Sequence, residues 1–164
     1  MSVWGNRCLA TAILLTGIAG AAPVFAAGSD ADAVGDAWMK AVSAGDIEAV
    51  MKLYADDAVA WFPEEPEHQG AAAIRASYKN IFDNFKVNSA VLSNRHAAGD
   101  AKHQTHWGNY SLNVTQKSDG KNMTWSGRYT DVTELRKGNW VYVADHASGE
   151  PEPPKTASAA PATK

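Results

Sequence analysis

The chain has 164 residues, of which 45% are hydrophobic and 20% charged, with a formal charge of −3 and a pI of about 5.9. This suits one globular domain with terminal extensions. No basic cluster is dense enough for nucleic acid or an anionic membrane to be the main partner.

Residues 1–26 read as a secretory signal peptide. Arg7 supplies the positive start, Leu9 to Ile18 the apolar run, and Val24-Phe25-Ala26 a small-x-small cleavage site. The run is shorter than the roughly 20 residues a membrane span needs, so no membrane contact is expected after cleavage. Cleavage after Ala26 removes Arg7 and no acid, taking the charge from −3 to −4. The expected location is the periplasm or the secreted fraction. Cys8, the only cysteine, lies inside the signal, so the mature chain has no thiol nucleophile and no disulfide.

The domain is expected over residues 27–149. A first helix runs from Asp30 to Ala44, with Val34, Ala37, Trp38, Ala41 and Val42 as its apolar stripe. Gly45 ends it and Asp46 caps a second, on which Ile47, Val50, Met51 and Tyr54 recur at helical spacing. Asp56-Asp57 is expected to break that helix before a strand from Ala58 to Phe62. Pro63 to Glu67 is a rigid acidic loop, and a third helix follows from Ala71 to about Phe85.

Beyond Lys86 the period changes to two. Strands are predicted at Val87–Ala97, Lys102–Gln116, Met123–Arg136 and Trp140–Ser148, separated by short Gly- and Asp-containing turns. Residues 150–164 form a Pro/Ala-rich tail expected to be disordered. Helices first and antiparallel strands after is an α+β pattern: three N-terminal helices packed on a strongly curved, mostly antiparallel sheet, enclosing a cone-shaped pocket.

Four stretches carry a family likeness: AGDIEAVMKLYADDAV (Ala44–Val59), HQGAAAIRASY (His68–Tyr78), GRYTDVTEL (Gly127–Leu135) and GNWVYVADHAS (Gly138–Ser148). On them the chain resembles the SnoaL-like and ketosteroid-isomerase-like proteins of the nuclear-transport-factor-2-like superfamily. The resemblance implies the conical fold and a homodimer through the outer face of the sheet. Steroid isomerases of this fold use a carboxylate base at the end of the first strand and an oxyanion hole of a tyrosine and a protonated aspartic acid. Here the base position falls on Phe62, the tyrosine on Trp38 and the acid on Asp131. Phe62 cannot move a proton, so that route to steroid isomerisation is not expected.

Asp131 is therefore the leading catalytic candidate, with Tyr129 and Thr133 on the same side of its strand. A structural aspartate bonded to backbone or to Trp38 is the alternative. Neighbours on a strand face opposite ways, so only one of Asp145 and His146 enters the pocket, and the resemblance favours Asp145. His146 is attractive as a general base because imidazole titrates near neutrality, and either His106 or the Asp145/His146 pair is expected to move the second proton. His103 and His106 are three apart, on opposite faces, so no metal site is expected. Trp38, Tyr54, Phe62, Tyr78, Trp107, Tyr129 and Val143 are the candidate ligand contacts. Two functions remain open. One is an exported, cofactor-independent lyase, dehydratase or isomerase acting on an apolar or aromatic small molecule. The other is a non-catalytic ligand-binding or association module of the same fold.

Overall fold

The computed structural model describes residues 28–150; the signal-peptide and tail expectations lie outside the described residues. Helix α1 spans Gly28–Ala44 and ends at Gly45, whose φ of 64° reverses the chain. Asp46 then caps α2 (Ile47–Met51), its side chain accepting from the Ala49 backbone N–H at 3.0 Å.

Here sequence and structure part. The second helix is only five residues long, and β1 (Tyr54–Trp61) begins where a further helical turn was expected. The Tyr142 N–H donates to Leu53 O at 2.7 Å, and Tyr54 pairs with Tyr142 in parallel register. That long-range pairing outweighs local helical spacing. Asp56 and Asp57 consequently sit in the strand, exposed, and Asp57 forms an ion pair with Arg136.

A two-residue strand, β2 (His68–Gln69), pairs with Val59 and Ala60, and leads into α3 (Gly70–Asn84). Four longer strands follow: β3 (Phe85–Gly99), β4 (His103–Gln116), β5 (Asn122–Arg136) and β6 (Asn139–Gly149). The sheet order is β2-β1-β6-β5-β4-β3, antiparallel throughout except β1 with β6. The β5–β6 turn has positive φ at both central residues, Lys137 (52°) and Gly138 (83°), as a two-residue hairpin loop needs.

Register shifts bend this sheet. They fall twice in the β3–β4 ladder, at Val132/Thr133 between β5 and β6, and between Tyr54 and Val59 of β1. Gly127 permits a further close approach, because a Cβ there would lie 1.8 Å from the backbone oxygen of Ser148. The result is a curved, unclosed sheet of six strands, as the α+β expectation held. Its concave side meets α1 and α3, with Val42, Val50, Ile74 and Val114 fully buried between the layers. At one end the layers do not close, and that opening is the cavity described next.

Candidate functional site

A cavity of about 620 Å³ opens between the helices and the concave sheet. Phe62 and Trp38 belong to its wall and do not fill it. Phe62 follows the end of β1, its ring 5.5 Å from both His68 and Tyr78. The interior is predominantly apolar and aromatic, as small-molecule cavities generally are.

The polar floor comes from β5 and β6. Asp131 and Asp145 are directly opposite each other in the antiparallel register, both facing inward and only 6% and 8% exposed. Facing each other across the ladder, the two carboxyls act on each other's titration. Burial, and then the Asp145 charge, push the Asp131 carboxyl well above the ordinary range. Burial also raises Asp145, but hydrogen bonds from Tyr54 and Asp131 work against the rise. One proton held on Asp131 and shared with an ionised Asp145 satisfies both observations. Asp131 Oδ1 has no hydrogen-bond partner, and the residue lines the cavity.

Behind Asp145 stands a chain of donors drawn from three elements. Trp38 Nε1 on α1 donates to the Tyr78 hydroxyl on α3 at 2.7 Å. The Tyr78 and Tyr54 hydroxyls lie 2.9 Å apart, and Tyr54 donates to Asp145 Oδ2. An indole N–H only donates, and Tyr54 has spent its single proton on Asp145, so Tyr78 must donate to Tyr54. Every donor in the chain therefore points toward the Asp145 carboxylate. Burial raises the pKa of all three nearby tyrosines, Tyr54, Tyr78 and Tyr142, keeping them neutral donors.

The candidates from sequence divide cleanly. Asp131, Asp145, Trp38, Phe62, Tyr78 and Tyr129 line the cavity. Asp131 is bonded neither to Trp38 nor to backbone, because Trp38 is committed to Tyr78. Tyr54 stands behind the wall as the last donor of the chain and is not part of the cavity surface. His106 is inward and opposite Asp131 in register, but it contacts Thr133 Oγ1 at 3.3 Å and lies 3.5 Å from Asp32. It borders a separate hole of about 10 Å³, which Asp131 also lines. Burial lowers its pKa.

Three placements need correction. His146 is exposed on the outer face, as the parity with Asp145 implied, so it is not in the cavity. Trp107 is also on the outer face, 39% exposed and stacked on His96, because it alternates with the inward His106. Val143 was expected to share the inward parity of Asp145, but it is the extra residue of a bulge: Thr133 pairs with Tyr142 and Val132 with Ala144. The bulge turns Tyr142 inward instead, onto the cavity wall. Tyr142, Phe85, Tyr110 and Trp125 are among the lining residues that sequence reading missed. Tyr142 left one signal: it and Asp145 are of opposite parity on one strand, so a bulge is required for both to face inward.

Fold and cavity together define the class, a conical α+β domain with a closed floor and an open mouth, the architecture of nuclear-transport-factor-2-like proteins. The SnoaL-like domain profile matches residues 36–143, and the chain belongs to that family. A protein from Xanthomonas campestris named for the calcium/calmodulin dependent protein kinase II association domain is similar at 27% identity, with a TM-score of 0.66 over 74% of this chain and 86% of that one. A ketosteroid isomerase-like protein from Erwinia carotovora atroseptica is 19% identical, with a TM-score of 0.66 over 74% and 95%. A Novosphingobium aromaticivorans protein named for scytalone dehydratase is 12% identical, with a TM-score of 0.69 over 74% and 83%. These last two likenesses establish the fold alone. No protein of curated function matches the sequence.

Proposed function

We propose that this is an exported, cofactor-independent acid/base enzyme of lyase, dehydratase or isomerase type, acting on an apolar or aromatic small molecule. The observation that supports it most is the buried Asp131–Asp145 pair, facing each other at the floor of an open, aromatic-walled cavity. A neutral carboxyl beside an ionised one supplies both partners that a proton-transfer reaction needs. Asp131 gives its proton to a substrate carbonyl or departing hydroxyl. Asp145 accepts a proton from the substrate, and the Tyr54 donor chain orients its carboxylate. His106 has no part in this scheme, since it does not border the main cavity.

The test begins with ligand-induced stabilisation against aromatic, steroid and terpenoid compounds. A ligand found in this way is expected to be turned over by the wild type. Turnover is expected to fall by roughly 10²- to 10⁴-fold in Asp131→Asn, the span typical of lost acid/base catalysis. Turnover unchanged in Asp131→Asn rejects the role given to that residue.

A second reading has support of its own. The similar Xanthomonas protein is named for an association domain, and the usual base position here is Phe62. On that reading the cavity holds a ligand without turnover. Export is supported by the N-terminal sequence pattern. Homodimerisation through the outer sheet face is supported by exposed Val91 and Trp107, at 47% and 39%. Sedimentation is expected to give twice the monomer mass, and a single-chain mass at high concentration rejects the dimer.

A further inference from the structure

Among the described residues, the cavity is lined by carboxyls and by no cationic side chain. Asp131 and Asp145 form its buried floor, Glu65 is half-buried along the wall, and Glu64 and Glu150 are exposed at the mouth. Among the described residues no Lys, Arg or His borders it. Glu65 is spent locally, accepting from Ser77 Oγ and bonding His68 Nε2, each at 2.7 Å. Glu64 and Glu150 are the carboxylates a ligand meets on entering. Between mouth and floor stand eight aromatic rings, Trp125 and Tyr110 among them.

These features act in one direction. Low-dielectric concave walls focus the field of charges of one sign. Aromatic faces present their negative side to whatever lies over them, which favours a cation. An entering carboxylate or phosphate finds no guanidinium or ammonium on the cavity surface to replace its water, since Arg95 lies behind the wall beside the small hole and is ion-paired with Asp36. At the floor, the unpartnered Asp131 Oδ1 is a built-in receiver for one polar group of the ligand.

We propose that the ligand is an aromatic or apolar molecule carrying a protonated amine. Its ring body fills the cone, its ammonium lies at the Glu64 and Glu150 mouth, and a carbonyl or hydroxyl reaches Asp131. This inference rests on the reading of the cavity as a ligand site and adds the charge of what enters it.

Three probes with one naphthalene body separate the two ideas: 2-naphthylmethylamine, 2-naphthalenemethanol and 2-naphthoate, titrated calorimetrically into the full chain at neutral pH and low salt. The amine is expected to bind about tenfold or more tighter than the carboxylate, with the alcohol between, in keeping with electrostatic focusing in a one-signed cleft. Raising the salt to about 0.5 M should narrow the gap, because screening at that strength acts within a few ångströms. Glu64→Gln with Glu150→Gln should reduce the amine's advantage and leave the alcohol's affinity unchanged. Equal binding of all three probes overturns the charge assignment and leaves the ligand site standing, and tighter binding of the carboxylate does the same. Binding by none of them overturns both.

Discussion

Asp131→Asn is expected to be more stable than the wild type at pH 8 and nearly equal to it at pH 4. Asn has the shape of a protonated Asp and can still donate to Asp145. In the wild type the folded-state pKa of Asp131 is raised by burial and by Asp145. A raised acid contributes stability below its unfolded pKa, near 4, and loses it as pH climbs toward the folded value. The difference between variant and wild type should therefore grow by about 1.4 kcal/mol per pH unit while the folded state holds a proton that the unfolded chain has released. His106 pulls the wild-type curve the other way, since burial lowers its pKa and stability rises as pH climbs past its titration. Glu48, Asp57 and Asp100 have lowered values but are fully exposed, and their effect belongs below about pH 4. Those contributions are common to both proteins and cancel in the difference. Urea unfolding from pH 4 to 9 on both proteins measures it, and a flat difference means that Asp131 ionises like an ordinary carboxyl. A carboxyl whose neutral isostere strengthens the fold is not there to hold the fold together, which agrees with a functional role.

The parts of the molecule that obey one local period were the legible ones. Strands β4 and β5 alternate without interruption, so the inward His106, Tyr129, Asp131 and Thr133 followed from parity. Helix α3 announced itself by its stripe through Ile74 and Tyr78. What failed depended on distant partners. Tyr54 fits a helical stripe as well as a strand, and only its pairing with Tyr142, 88 residues on, decides between them. The two residues of β2 are too few to show any period. Val143 was misplaced because a bulge adds one residue and reverses every parity beyond it. At the site, the two carboxyls could be found from sequence, but the donor chain could not. Its links join residues 40, 24 and 91 positions apart, and no spacing rule connects Trp38 with Tyr78 or Tyr54 with Asp145.

Removing the last link of that chain is the second large effect. Tyr54→Phe keeps the ring packed 5.2 Å from Tyr142 and 6.0 Å from Tyr78 but withdraws the donor from Asp145. Where Asp145 is ionised, toward high pH, loss of a buried hydrogen bond to a charged acceptor costs about 3 kcal/mol. Where both acids are protonated, toward low pH, the lost bond is between neutral groups and costs about 1 kcal/mol. The direction follows from the site: the Tyr54 bond holds the Asp145 pKa down, so its removal raises that pKa further and deepens the loss of stability as pH rises. Tyr78→Phe is the control. It unpairs the Trp38 N–H and ends the donation to Tyr54 yet leaves Tyr54 bonded to Asp145, so its cost should be about 2 kcal/mol and nearly independent of pH. Unfolding both variants across the pH range decides the matter. If the two lose stability in parallel, or if the Tyr54→Phe cost is flat, the donors are not ordered toward Asp145. A cost that grows with pH in Tyr54→Phe alone places the negative charge of the pair on Asp145 and its proton on Asp131. That distribution is the one the proposed reaction requires, with Asp131 as proton donor to the substrate and Asp145 as acceptor from it.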